Sequence, residues 1–274
     1  MSSAADEPSP QVDQVRLTHI GGPTVLIEVG GWRILTDPTF DPAGHRYAFG
    51  WGTASTKLTG PALSRADLGA IDAVLLTHDH HADNLDGGGR SLLAEVPVVV
   101  TTTVGAARLG GAARGLAPWD ATRLEAPGKE PIDVVATPCR HGPPLTRRIV
   151  GEVVGFAVMW PGQQNGALWV SGDTVLHGDL WAVADRLEVG VAILHLGGVR
   201  FPITGPLRYT MTIDAAVDLC GRLRPHTAVP VHYEGWSHFR QGREAIERRL
   251  TTAPPATREA FRFLPIGRSV AVTA

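Results

Sequence analysis

The chain has 274 residues, of which 43% are hydrophobic and 19% charged, so it carries enough apolar surface for a sizeable core. With 25 Lys+Arg against 27 Asp+Glu its formal net charge is −2, which excludes a general polyanion binder and gives no reason to expect a nucleic-acid or membrane-surface partner. The 2 cysteines, Cys139 and Cys220, stand far apart and outside any C-x-x-C pairing, which excludes a disulfide framework and zinc-finger spacing and favours a reducing compartment.

The N-terminal stretch 1–14 is polar and has no apolar h-region, so it is expected to be a disordered tail. No later stretch reaches the ~18 apolar residues of a membrane span, and the expected location is cytoplasmic. Residues 24–29 and 32–37 flank Gly30-Gly31 and predict a hairpin that ends at Asp37-Pro38. From 39 to 61, Gly, Pro and polar residues predict a long loop, and its aromatics Tyr47, Phe49 and Trp51 are candidates for a substrate wall. Ser64 is a candidate N-cap for a short helix over 64–68. Residues 73–76 are a short unbroken apolar run, which predicts a buried strand.

That strand runs straight into His78-Asp79-His80-His81-Ala82-Asp83-Asn84-Leu85-Asp86, with three His and three Asp in nine residues. In a strand, side chains at i and i+2 point the same way, so His78 and His80 are expected to converge while Asp79 faces elsewhere. Neutral imidazole and carboxylate together suit Zn²⁺ and similar ions. Gly87-Gly88-Gly89 then predicts an interruption of any helix, and Val98–Thr102 a further strand.

Strands are predicted over 132–138, leading to Cys139-Arg140-His141, and over 153–160 and 167–170, the latter leading to Ser171-Gly172-Asp173. Two more, over 189–194 and 227–231, deliver His195 and His232. Helices are predicted from Thr212 and over 238–250, and a last strand over 261–264. Five strand ends thus present His78/His80, His141, Asp173, His195 and His232, which requires one domain over 15–274 although length alone would allow two.

The order of these landmarks, with Thr36-Asp37-Pro38 ahead of them, resembles the H-x-H-x-D-H loop and its partners in the metallo-β-lactamase superfamily. The branch it resembles contains ascorbate-6-phosphate lactonase and the N-acyl-phosphatidylethanolamine phospholipases D. The resemblance implies an α/β fold, a four-layer αββα sandwich, with two divalent metal ions at one edge, Zn²⁺ foremost and Mn²⁺ or Fe as alternatives. Carried over by position, His78, His80 and His141 would hold the first ion, Asp173 would bridge, and Asp83 and His232 would hold the second. The chain departs from the pattern at two places. Ala82 adds a residue before the carboxylate, and Asn84 stands where a histidine belongs, which makes His81 a candidate partner in the second site and Asn84 a supporting residue.

Asp83 is then the candidate for orienting the attacking water, with His195 and His177 as candidates for support or proton transfer. His45, His226 and His238 are expected at the surface or in an outer layer, and His19 as a helper. No G-x-S-x-G elbow, P-loop or dinucleotide fingerprint follows a strand. The expected function is metal-dependent hydrolysis of a small ester, lactone or phosphodiester. The alternatives are a di-iron oxidoreductase on the same fold and a metal-binding protein without turnover; oligomeric state is left open.

Overall fold

The computed structural model describes residues 14–144 and 150–274. The tail expected over 1–14 lies outside them except for Gln14, which opens the first strand. Among the described residues the strands are β1 (Gln14–Gly21), β2 (Thr24–Val29), β3 (Trp32–Thr36), β4 (Arg46–Gly50), β5 (Thr53–Thr56), β6 (Ala73–Leu75), β7 (Val98–Thr102), β8 (Ala113–Leu116), β9 (Ala121–Leu124), β10 (Ile132–Pro138), β11 (Val154–Met159), β12 (Ala167–Val170), β13 (Val189–His195), β14 (Thr227–Val231) and β15 (Ser269–Thr273). They form a seven-stranded sheet β15-β1-β2-β3-β6-β7-β8, a six-stranded sheet β14-β13-β12-β11-β10-β9 and the separate pair β4-β5.

The two large sheets pack face to face with helices outside, giving the αββα sandwich. Strand alternation explains why each strand serves two layers. Val25, Ile27, Ile34 and Leu75 point inward to meet Val134, Phe156 and Ile193 of the opposite sheet. Their neighbours Leu26, Leu35 and Val74 point outward onto Leu68, Leu85 and Leu92. On the far face, Trp169, Ala192 and Leu194 are covered by Leu180, Val183, Ala216 and Leu219 from the helices Gly178–Arg186 and Ile213–Leu223. No helix among the described residues is long and apolar enough to cross a membrane.

Gly30 and Gly31, with φ of 54° and 80°, make the two-residue turn between β2 and β3, where both positions need a left-handed backbone. Parallel pairing of β3 with β6 and β7, and of β12 with β13 and β14, brings the carboxyl ends of these strands to one edge. β10 ends at the same edge, because Pro138 pairs with Val154 at the start of β11 and Phe156 pairs with Val170 at the end of β12. There the sheets are tied together: Val154 N–H donates to Thr77 O at 3.1 Å, and His232 N–H to Gly22 O at 2.8 Å.

Several local expectations need correction. Gly87-Gly88-Gly89 does not interrupt a helix but begins one, Gly87–Leu93, capped by the Asp86 carboxylate, which accepts from Gly89 N–H at 2.9 Å. A Cβ at Gly89 would lie 1.9 Å from Pro38 O, so glycine is demanded by close backbone approach. The stretch 39–61 is not wholly loop, since it contains the β4–β5 hairpin. The helix predicted over 238–250 spans only Arg243–Leu250, because 238–242 turns back toward the edge of the sheets. Residues 261–264 contribute a single bridge, Phe261 to Ala228, and the last strand is β15, paired with β1.

Candidate metal centre

The chain stays extended past β6, held by Leu76 N–H to Val100 O at 2.9 Å and by Thr77 N–H to Asp37 Oδ1 at 2.7 Å, and so delivers a fully buried His78. Thr77 Oγ1 stands 3.1 Å from His78 Nδ1, which directs the other ring nitrogen into the site. Asp79 then turns away into a bidentate pair with Arg108, its Oδ2 2.8 Å from Nε. His80 follows to the surface, 3.0 Å from the same guanidinium, with its ring against Gly151, where an added Cβ would lie 2.2 Å from Cε1.

At His81 the chain tightens into a turn, with Asn84 N–H and Leu85 N–H both donating to His81 O at 3.2 and 2.9 Å. Strand alternation therefore ceases after His78, and the i, i+3 pair His78 and His81 converges in place of the expected i, i+2 pair His78 and His80. His81 Nδ1 lies 3.1 Å from Nε2 of His141, whose Nδ1 donates to Tyr209 O at 2.8 Å. The ligating atoms of His78, His81 and His141 lie within 4.8 Å of one another. His80 is outside this group, and His81 is in it rather than beside Asp83 in the second.

Asp83, Asp173 and His232 form a second group within the same 4.8 Å limit. Asp83 comes from the turn, Asp173 from beyond β12 and His232 from beyond β14, where φ of 56° aims its ring back between the sheets. The two nitrogens of His232 lie 3.4 Å from Asp83 Oδ2 and 3.4 Å from Asp173 Oδ1. Asn84 Nδ2 donates to Asp173 Oδ2 at 3.0 Å, which is the supporting position expected of it.

Burial dominates the electrostatics. It pushes the imidazole pKa down to about 4 for His81 and about 3 for His141, and well down for His78, which keeps the first group neutral as ligands require. Burial pushes the Asp173 carboxyl up to about 6. Burial would lower His232 as well, but the Asp173 and Asp83 carboxylates raise it to about 9. Burial would raise Asp83, but the imidazoles of His232 and His238 beside it draw it well below the usual carboxylate range.

Many site atoms are buried without a hydrogen bond among the described residues: His78 Nε2, Asp83 Oδ1, Asn84 Oδ1, Asp173 Oδ1 and both nitrogens of His232. Each such atom costs about 1–3 kcal/mol when left unsatisfied. A donor set of three imidazoles beside two carboxylates and an imidazole suits Zn²⁺ and similar divalent ions, so the residues present fit a metal centre.

The other predicted residues separate. His195 is buried beneath the site, with Nε2 3.1 Å from Asp37 Oδ2; Asp37, pushed up to about 8 by burial, also receives both Thr77 donors. His195 thus braces the strand that carries His78, apart from both metal groups. His177 is at the N-cap of the helix Gly178–Arg186, 3.7 Å from Asp179 and outside the cavity described next. His45 and His226 are exposed as expected, and His19 Nε2 contacts Gly22 O at 3.0 Å, beneath the attachment of His232.

A cavity of about 50 Å³ opens onto both groups, lined by His81, Asp83, His141 and Asp173 and walled by Phe49, Trp51, Phe201 and Tyr209. Tyr47 is not part of this wall: its hydroxyl donates to Asp41 Oδ2 at 2.5 Å and its ring packs on Trp236. Tyr47 and Phe49 share one face of β4, both against Trp236, and it is Phe49, beside the register shift at 48–50, that reaches the cavity together with Trp51 of the turn that follows. His238, expected in an outer layer, is 2% exposed, lines the cavity and bonds Asp83 Oδ2 at 2.9 Å. Its spacing six residues after His232, within Trp236-Ser237-His238-Phe239, was the available signal.

Residues 32–233 match the β-lactamase superfamily domain. A UPF0173 metal-dependent hydrolase of Methanosphaerula palustris is 27% identical over 245 residues, covering 85% of this chain and 92% of its own. Among solved structures, the isothiocyanate hydrolase from Delia radicum gut bacteria superposes with a TM-score of 0.77 at 19% identity, covering 94% of this chain and 100% of its own. The metallo hydrolase Igni18 of Ignicoccus hospitalis gives 0.69 at 22%, covering 95% and 99%. The chain therefore belongs to the metallo-β-lactamase superfamily, among relatives described as metal-dependent hydrolases.

Proposed function

We propose that this metallo-β-lactamase-superfamily hydrolase holds two divalent cations, one on His78, His81 and His141 and one on Asp83, Asp173 and His232, and hydrolyses a small uncharged ester or lactone. The observation that carries the reading is the pair of three-residue groups, rich in unbonded buried donor atoms, at the floor of an aromatic-walled cavity. Bound cations supply Lewis acidity there, which lowers the pKa of water toward neutrality and polarises the electrophile. Asp83, with Oδ2 anchored and Oδ1 without a hydrogen bond among the described residues, is the group placed to orient the attacking water and take its proton. Phe49, Phe201 and Trp51 seat the apolar part of the substrate and exclude bulk water.

An ester or lactone is favoured over a phosphodiester because no Lys or Arg is among the described residues lining the cavity. A phosphodiester would have the bound cations alone to meet its charge, since the described walls of the pocket add no cationic side chain. The test is a panel of lactones, p-nitrophenyl esters, bis-p-nitrophenyl phosphate, an aryl isothiocyanate and nitrocefin, run before and after chelation and again after adding Zn²⁺ or Mn²⁺. Ester or lactone turnover that disappears on chelation and returns with metal is expected. Turnover that survives exhaustive chelation refutes the metal assignment, and preferential cleavage of the phosphodiester refutes the substrate class.

A further inference from the structure

His238 lies six residues past His232 and outside both metal groups, yet it is buried and bonded at both ring nitrogens. Its Nε2 is 2.9 Å from Asp83 Oδ2, and its Nδ1 is 2.5 Å from Ser55 Oγ. Ser55 Oγ lies 3.2 Å from Ser237 Oγ, which itself accepts from Thr56 N–H at 2.9 Å. For a neutral imidazole that donates to the carboxylate, one direction of donation runs through the chain. Thr56 N–H donates to Ser237, Ser237 O–H to Ser55, Ser55 O–H to Nδ1, and Nε2–H to the Asp83 carboxylate.

The ring itself is clamped. It stacks on Phe201 at 5.4 Å with planes 7° apart, and Phe49 meets it edge-on at 5.4 Å. Ser55 and Thr56 belong to β5, the second strand of the hairpin whose other strand and turn carry Phe49 and Trp51. A single imidazole therefore joins the substrate wall to a carboxylate of the second metal group.

We propose that His238 is a positioning residue for that second group: held by Ser55, it anchors Asp83 through Oδ2, the oxygen that also faces His232 Nε2 at 3.4 Å, and so fixes the orientation of the carboxylate toward the second cation and the water. This rests on the reading that Asp83, Asp173 and His232 hold a cation. Two consequences follow from the geometry. Loss of His238 frees the Asp83 carboxylate to rotate and weakens the second ion, while the first ion, bound by His78, His81 and His141, keeps its ligands and their hydrogen bonds. Loss of Ser55 acts in the same direction at one remove.

The experiment is Co²⁺ titration of apo wild type, His238→Ala, His238→Gln and Ser55→Ala, reading stoichiometry and the visible absorption of each equivalent, with Zn²⁺ content checked by elemental analysis. Wild type is expected to bind two equivalents. His238→Ala should weaken the second equivalent by about 10- to 100-fold with an unchanged first-equivalent spectrum. His238→Gln, whose amide N–H can still reach Asp83, should recover most of the second equivalent, and Ser55→Ala should fall between the two. If His238→Ala does not fold, His238→Gln and Ser55→Ala decide: Ser55→Ala with a weaker second equivalent than His238→Gln supports the proposal, and Ser55→Ala with wild-type affinity overturns it. Wild-type affinity for both equivalents in His238→Ala also overturns it, as does an equal loss of both, which would mark a general packing role. A wild type that takes up only one equivalent would instead remove the binuclear reading itself.

Discussion

The two candidate metal-binding groups lie side by side but meet burial in opposite ways. Buried His78 and His141 and half-buried His81 can all stand neutral, since an imidazole escapes the cost of desolvation by releasing its proton. Asp83 stays ionised and Asp173 takes up its proton near pH 6, so in the metal-free protein at neutral pH the protonated His232 offsets one of their two charges. The first group is thus assembled before metal arrives, whereas the second is a cluster of charge that a cation would relieve.

The largest effect expected from this contrast is loss of metal itself. His81→Ala should lose the first ion and reduce hydrolysis to background, while His80→Ala should keep the metal content of wild type; elemental analysis of the two decides whether the turn at His81 has been threaded correctly. Next is Asp83→Ala, expected to deplete the second ion and lower kcat by about 10²–10⁴-fold, the range of a lost general base. Retention of two ions and full kcat in that variant would detach Asp83 from the chemistry.

In the metal-free protein the two groups should respond to pH with opposite signs. The folded pKa values of His81 and His141 lie below the unfolded value near 6.5, so the unfolded chain binds more protons between 6.5 and about 4, and stability falls as pH is lowered. Asp173, with a folded pKa of about 6, takes up its proton in the folded state first and gains stability over the same descent. Between pH 6.5 and 5, His141→Gln should make the loss of stability shallower by about 2 kcal/mol, and Asp173→Asn should make it steeper by about 1 kcal/mol. Denaturant melts of the apo variants at several pH values measure both slopes, and slopes that move together would erase the distinction. Asn84→Ala should have the smallest effect, about tenfold weaker binding of the second ion with stoichiometry intact. A full equivalent lost in that variant would promote Asn84 from support to ligand.

What was legible in the chain was whatever depends on local periodicity. The β2–β3 hairpin followed from Gly30-Gly31, the helix starts from Ser64 and Thr212, and the strands that end at His141, Asp173 and His232 from short apolar runs. The four-layer sandwich followed from the order of those strand ends and the family they resemble. Legibility ended where regular backbone ends. Alternation applied past His78 selects His80, but the turn stabilised at His81 O changes the repeat from two residues to three.

The Gly87-Gly88-Gly89 helix fails local reasoning for a related cause. Intrinsic propensity opposes a helix there, yet the Asp86 cap and the backbone of Pro38 and Phe40 pressed against the glycines impose one. His238 is the strongest case, because its aromatic neighbours Trp236 and Phe239 signal burial at most and cannot point to Ser55 and Asp83, partners 183 and 155 positions away.

The sequence by itself determined the chemistry of the donor atoms and the strand ends that deliver them, because these follow from residue type and strand periodicity, and its resemblance to a family carried the class of fold. Tertiary structure alone decided which histidine of the cluster turns inward, which aromatics face the cavity and which outer imidazole anchors Asp83. Those choices depend on contacts between segments far apart in the chain, where close packing leaves room for one arrangement.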